Sequence, residues 1–297
     1  MLTGLKVAVI GGDARQVELI KKLCEWDATL YLVSLEHLEG EFPGAQKVKL
    51  EEVPAEELDA IILPVPGTDE EGYMETHFAD ESPRLTKEWL KQVKSSCKIF
   101  TGISKDYLTS LCNELQLPLI PLFDRNDVAI YNSIPTVEGT IMMAIQNTDF
   151  TIHNSNVIIV GFGRTGKSLA RSFHALGANV RASARKQEDL ARIFEMGIEP
   201  IHTDSLSDKV KDCDILINTV PAPVINVKVL QNLPQTALII DLASKPGGTD
   251  FRYAKKRGIN AILAPGLPGI VAPDTAGKIL ASVISQLLLE KRGEGSS

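Results

Sequence analysis

Short apolar runs recur along the chain, each followed by a stretch with helical spacing and then a glycine or proline. Lys6-Val7-Ala8-Val9-Ile10 reads as a buried strand. Gly11-Gly12-Asp13 turns from it into a helix running to about Trp26, and Thr29–Val33 is a second strand. Ala60–Leu63, Lys98–Gly102 and Leu119–Leu122 continue the series. Continuous apolar strands separated by helical stretches predict a parallel sheet covered on both faces. The same rhythm resumes in Asn156–Val160, Ala178–Ser183, Ile198–Ile201, Asp214–Pro221, Ala237–Asp241 and Ala261–Leu263. The fold class is therefore α/β, with two doubly wound, Rossmann-like domains and a cleft between them.

The expected boundaries are a first domain over 1–134, a joining helix over 135–150 and a second domain over 151–272. A C-terminal helix over 273–297 packs back on the joining helix or the first domain and ends in a frayed tail. In the joining helix Pro135 sits in the first turn, and Glu138 just after it suits the positive end of the helix dipole. The final helix places Ile279, Leu280, Val283, Ile284, Leu287 and Leu288 at helical spacing. The stretch Glu70–Arg84 is acidic and broken, and reads as a flap or edge excursion.

Only one of the strand-to-helix turns carries Gly-x-Gly-x-x-Gly. It runs Gly161-Phe162-Gly163-Arg164-Thr165-Gly166, directly after a β-branched strand and before a helix. Gly161 permits the tight turn, Gly163 lets backbone approach a pyrophosphate, and Gly166 lets helix and strand pack closely. An NAD site usually has a carboxylate at the end of the next strand, on the ribose hydroxyl. Here that region reads Arg181-Ala182-Ser183-Ala184-Arg185-Lys186, with no carboxylate before Glu188. Ser183, Arg185 and Lys186 offer a hydroxyl and two cations to a 2′-phosphate, so the expected cofactor is NADP, with NAD the lesser candidate; the alternative is that Arg185 and Lys186 merely begin a solvated helix. Thr219, Val220 and Pro221 close the fourth strand where the nicotinamide half should lie. The first domain's turn lacks this spacing, since Asp13 and Arg15 follow Gly12, and a second dinucleotide site is not expected.

Composition narrows the functional classes. The 297 residues, 44% of them apolar, suffice for two ordinary cores. A net charge of −7 disfavours a nucleic-acid surface, and no apolar run reaches membrane-spanning length. Cys24, Cys97, Cys112 and Cys213 form no C-x-x-C pair, which suggests reduced thiols in a cytoplasmic protein and no metal site.

Ligands of open α/β sheets sit beyond the carboxyl ends of the strands. The candidate substrate contacts there are Arg15, Arg125, Pro66, Gly67 and Thr136. Asp13 reads equally as a helix cap, and Pro66 as a strand terminator. For catalysis, Asp241 and Lys245 flank a strand end and read equally as groups that stabilise the turn, and Glu138 could serve as a base or simply as a dipole partner. His77, His153, His174 and His202 read as structural or exposed.

Several motifs together point to one family: Ile10-Gly-Gly-Asp-Ala-Arg-Gln, Pro135-Thr-Val-Glu-Gly-Thr, Gly161-Phe-Gly-Arg-Thr-Gly-Lys, Asp241-Leu-Ala-Ser-Lys-Pro-Gly-Gly and Ala264-Pro-Gly-Leu-Pro-Gly. The Gly161–Gly166 turn alone resembles many two-domain dehydrogenases. The combination resembles the dipicolinate synthase A-subunit family of spore-forming bacteria, over essentially the whole chain. The resemblance implies work in the mother cell during sporulation, in a heteromeric complex with the smaller, flavoprotein-like dipicolinate synthase B-subunit. It implies NADP-dependent oxidation of a dihydro- or 4-hydroxytetrahydrodipicolinate, drawn from the lysine pathway, to pyridine-2,6-dicarboxylate. A homo-oligomer is possible. Two other classes stay open: an NADP-binding protein with a regulatory or scaffold role, and a stand-alone dehydrogenase of another small acid.

Overall fold

β1 (Lys6–Ile10) shows how the chain builds its layers. Its side chains alternate between two apolar clusters, Val7 and Val9 on one face, Ala8 and Ile10 on the other, and none of the four is exposed. A strand buried on both faces needs helices on both sides. The structure is a computed structural model and describes residues 1–244 and 247–290.

The first unit comprises Met1–Tyr131 and the segment from Ala272 onward. After β1 come α1 (Ala14–Glu25), β2 (Thr29–Val33), β3 (Ala45–Lys47), β4 (Ala60–Ile62), α2 (Lys87–Leu90), β5 (Lys98–Thr101), α3 (Asp106–Glu114) and β6 (Leu119–Pro121). Its six strands are parallel and lie in the order β3-β2-β1-β4-β5-β6. α4 (Asn126–Gln146) follows, and the division between the units falls within it, between Tyr131 and Asn132.

The second unit holds β7 (Asn156–Val160), α5 (Arg164–Ala175), β8 (Asn179–Ala184), α6 (Gln187–Glu195), β9 (Glu199–His202), α7 (Leu206–Lys209), β10 (Ile215–Asn218), α8 (Val227–Asn232), β11 (Leu238–Asp241), α9 (Phe251–Arg257), β12 (Asn260–Leu263) and α10 (Leu267–Val271). Its strand order is β12-β11-β10-β7-β8-β9, again wholly parallel. Numbered from its own first strand, this is the same 3-2-1-4-5-6 order as the first unit, read from the opposite edge, and it is the doubly wound arrangement expected from the sequence. Along β7, Val157 and Ile159 enter one core and Ile158 and Val160 the other.

α11 (Pro273–Leu289) returns to the first unit and packs on α1. Gly277 makes this close, since a Cβ there would overlap the Arg15 carbonyl oxygen on α1. Leu280, Ile284, Leu287 and Leu288 join the α1 side chains Leu19, Ile20 and Leu23 in one core. Each such side chain, once buried, contributes roughly 1.5–3 kcal/mol of hydrophobic stabilisation.

Two expectations change here. α4 begins at Asn126, so Pro135 and Glu138 lie in its interior and the dipole role expected of Glu138 does not hold. Pro135 has no N–H for the Tyr131 carbonyl one turn earlier. The hydroxyls of Thr136 and Thr140 donate to the carbonyls of Asn132 and Thr136. β3 has no counterpart in the apolar pattern. It is a three-residue edge strand of partly and fully exposed positions, two of them polar.

Candidate cofactor site in the second unit

β7 ends at Val160, and the chain turns through Gly161 with φ +95°. A Cβ at Gly161 would come 2.5 Å from Thr219 Oγ1 and 2.7 Å from Val220 Cγ2, because the loop after β10 lies against the turn. Thr219 Oγ1 in turn donates to the Val160 carbonyl at 2.9 Å. A Cβ at Gly166 would overlap the Gly161 carbonyl oxygen, so the first turn of α5 sits directly on the loop. Gly163 differs from both. It caps α5 in an extended conformation, supplies no side-chain cap, and has nothing within 4 Å of where a Cβ would stand. The helix start is thus tightly built on the inside and open on the outside, where backbone N–H groups and the dipole favour an anion. The residues present fit a dinucleotide pyrophosphate.

Phe162 is buried and carries the Lys167 ammonium 5.4 Å from its ring centroid. Gly163 and Arg164 are exposed and Thr165 is half-buried. Thr219 and Val220 are half-buried and Pro221 is exposed at the end of β10. β8 ends at Ala184, and Arg185 and Lys186 beyond it are exposed. Lys186 lies 3.5 Å from Glu188, whereas Arg185 forms no ion pair among the described residues. Ser183 is a correction. It is fully buried, its carbonyl accepts the Gly161 N–H at 3.1 Å, and its hydroxyl has no hydrogen-bond partner among the described residues. A side chain enclosed in the core does not reach a 2′-phosphate.

For Asp241 the structure corrects the catalytic reading in favour of the turn-stabilising one. It ends β11, has no exposed surface, and is surrounded by donors. Oδ1 accepts from Asn218 Nδ2 at 2.9 Å and the Ala243 N–H at 3.0 Å. Oδ2 accepts from the Gly248 N–H at 2.9 Å and Thr249 Oγ1 at 2.6 Å. It therefore shapes a loop and does not touch a substrate. Asn218, its register partner on β10, also bonds both polar groups of Val220: Nδ2 donates to the carbonyl and Oδ1 accepts the N–H, each at 3.0 Å. Sequence reasoning missed Asn218 and Thr249. An amide and a carboxylate ending adjacent strands was the available signal. Lys245 lies outside the described residues.

In the first unit the corresponding turn is closed. Gly11 and Gly12 have φ +56° and +108°. The Gly12 N–H donates to the Glu75 carbonyl at 2.8 Å, and its carbonyl accepts from the His77 N–H at 2.9 Å. The 69–84 segment therefore covers the turn as ordered chain. It is pinned by antiparallel bridges between Thr68 and Met74 and between Tyr73 and Arg84. Asp13 caps α1 by accepting the Arg15 N–H at 3.0 Å. The Arg15 guanidinium folds back onto the same carboxylate, with Nε 2.9 Å from Oδ1 and Nη2 2.5 Å from Oδ2. Burial pushes the Asp13 carboxyl up, but the Arg15 hydrogen bonds and charge outweigh it and hold it below its usual range. Arg15, buried and committed to Asp13, is thereby corrected as a substrate contact.

Arg125 is half-exposed and pairs with Asp127 at 2.8 Å. Gly67 is buried with φ +71°, and a Cβ there would approach the Ile103 carbonyl at 2.6 Å, so it packs against the loop after β5 and is no ligand wall. Pro66 is half-buried. Thr136 is half-buried with its hydroxyl on the Asn132 carbonyl, and Glu138 is exposed on α4. Burial raises the Cys97 and Cys213 thiols to about 12 and Cys112 to about 11, so these three are inert core groups. Among the described residues no group of side chains could hold a metal ion, and no helix is long and apolar enough to cross a membrane.

Comparison with known proteins matches this division. Residues 6–123 match the family model of the N-terminal domain of the dipicolinate synthase A-subunit. Residues 136–245 match the NAD binding domain of D-isomer specific 2-hydroxyacid dehydrogenases. The dipicolinate synthase A-subunit of Bacillus subtilis (strain 168) is 55% identical over 294 residues, covering 99% of each chain. The crystal structure of that synthase's A chain from Bacillus subtilis superposes with a TM-score of 0.95 at 55% identity, covering 99% of both chains. The A-subunit from Bacillus halodurans gives a TM-score of 0.95 at 53% identity, covering 98% of this chain and 99% of its own.

Proposed function

The chain belongs to the dipicolinate synthase A-subunit family, and from that premise we propose that it oxidises a dihydrodipicolinate, or a 4-hydroxytetrahydrodipicolinate that also loses water, to pyridine-2,6-dicarboxylate with NADP. A role in dipicolinate synthesis and a nicotinamide-binding dehydrogenase domain follow from the family and domain matches. The choice of NADP rests on one observation. The strand end that would carry a ribose-binding carboxylate is Ala184, and an exposed Arg185, without an ion pair among the described residues, follows it. A planar guanidinium suits a phosphate and gives a bare ribose little.

NADP supplies the hydride acceptor. The chain's task is to hold and orient a small cyclic dicarboxylate, because the ring gains aromaticity on oxidation and needs little further activation. Arg125 is the remaining described cation among the substrate candidates, and a substrate carboxylate would compete with Asp127 for it. Lys245 and Glu138 are the groups proposed to move the proton that accompanies the hydride. The proposed partner is the B-subunit of the synthase, and the proposed setting is the cytoplasm of the mother cell. The relatives' designation as one lettered subunit of a synthase supports a partner.

The test is NADPH formation by the purified chain on freshly condensed hydroxytetrahydrodipicolinate, with and without the B-subunit, following pyridine-dicarboxylate absorbance in parallel. Both signals rising together, faster with NADP than with NAD, is the expected result. A folded chain that binds NADP yet makes no product when its partner is present would instead favour the regulatory reading.

A further inference from the structure

Asp241 is a buried charged group for which the proposed reaction has no use. Three N–H donors and the Thr249 hydroxyl address its two oxygens, a cage that fits the ionised, acceptor-only carboxylate. Among the described residues no cation pairs with it, and it has no exposed surface through which water could screen it. An ionised group in such surroundings projects its field strongly onto whatever lies near.

Its place gives that field a target. In this fold the dinucleotide crosses the carboxyl ends of the strands at the switch point, here between β7 and β10. One half would lie toward β8 and Arg185. The other would lie toward β10 and β11, whose last residues are Asn218 and Asp241. The nicotinamide ring is cationic when oxidised and neutral after accepting hydride. We infer that the Asp241 carboxylate, fixed beneath the loops after β10 and β11, makes the site selective for the oxidised cofactor. The inference rests on the second unit holding a nicotinamide dinucleotide. Asp241 acts as a positioning and selectivity residue through charge, and does not contact the reacting atoms. It would capture NADP and help release NADPH.

Asp241→Asn and Thr249→Val in the full chain test this, with dissociation constants for NADP and NADPH measured separately by calorimetry. One unit charge acting on another at an effective dielectric near 20 is on the order of a tenfold change in affinity. Asp241→Asn should therefore weaken NADP roughly tenfold more than NADPH, a shift of ~30 mV in the bound two-electron couple. Thr249→Val removes a donor but keeps the charge, and should weaken both forms by the same factor. Equal weakening of both forms by Asp241→Asn would leave Asp241 a purely structural group and overturn the inference. So would a wild-type chain that binds NADPH more tightly than NADP, a measurement that needs no variant to fold. If the folded wild-type chain binds neither form, the cofactor reading itself fails.

Discussion

The two units carry the same six-strand order and treat their first strand-to-helix turn in opposite ways. In the second unit, Gly163 leaves the start of α5 without a side-chain cap and open to an anion. In the first, the Asp13 carboxylate occupies the start of α1, Arg15 neutralises it, and the 75–77 backbone closes over Gly12. One turn leaves its helix dipole open, and the other satisfies it internally. Fold alone therefore says little about binding. Two or three residues make one turn open and the other closed.

The difference can be attacked at several points. The largest effect is expected at Gly166. Alanine there collides with backbone, which cannot yield as a flexible side chain can, so Gly166→Ala should cost about 100-fold or more in dinucleotide affinity and lower the melting temperature. Gly12→Ala is its counterpart. Its nearest neighbours in space are atoms of the flexible Gln16 side chain, but it needs a positive φ, so it should destabilise the chain while leaving dinucleotide affinity within about twofold, by calorimetry. A matching loss of affinity there would break the distinction between the turns.

Gly163→Ala comes next. Its φ of −78° suits any residue and its surroundings are empty, so melting should not change. Affinity should still fall roughly tenfold if, as proposed, a pyrophosphate approaches the space that the methyl group would take. Arg185→Ala should weaken NADP roughly tenfold and NAD hardly at all. Equal loss for both would remove the arginine from cofactor choice.

Asp13→Asn should have the smallest effect on dinucleotide binding, which stays unchanged; asparagine still caps the helix, but the buried Arg15 guanidinium loses its charge partner, so stability falls. Because the folded state holds this carboxyl below its usual range, its contribution is present above the unfolded pKa, near 4. It is lost as pH falls through the lower folded value. The stability gap between wild type and Asp13→Asn, measured by denaturant titration, should therefore narrow on acidification.

Much of this was legible in the chain. Strands buried on both faces announce themselves as apolar runs, and Gly161, Gly163 and Gly166 act through the backbone, so spacing alone reveals their geometry. Side-chain commitments do not show in the same way. Asp13-x-Arg15 reads equally as a cap or as a substrate clamp, and only coordinates show the guanidinium folded onto its own neighbour. Ser183 and Asp241 lie at strand ends, where one residue of register separates a core position from the rim. The start of α4 was hidden because Asp124–Asp127 resembles a loop and Pro135 resembles a first turn.

The position of α11 has a consequence for how the chain is made. Residues 132–271 form one continuous unit, whereas the first unit is assembled from both sides of it. The apolar side of α1 has Leu280, Ile284 and Leu287 as neighbours, all synthesised after the second unit is complete. On the ribosome, then, the domain begun first is finished last, and its unfinished core must wait, exposed to solvent or to chaperones, while the inserted domain folds.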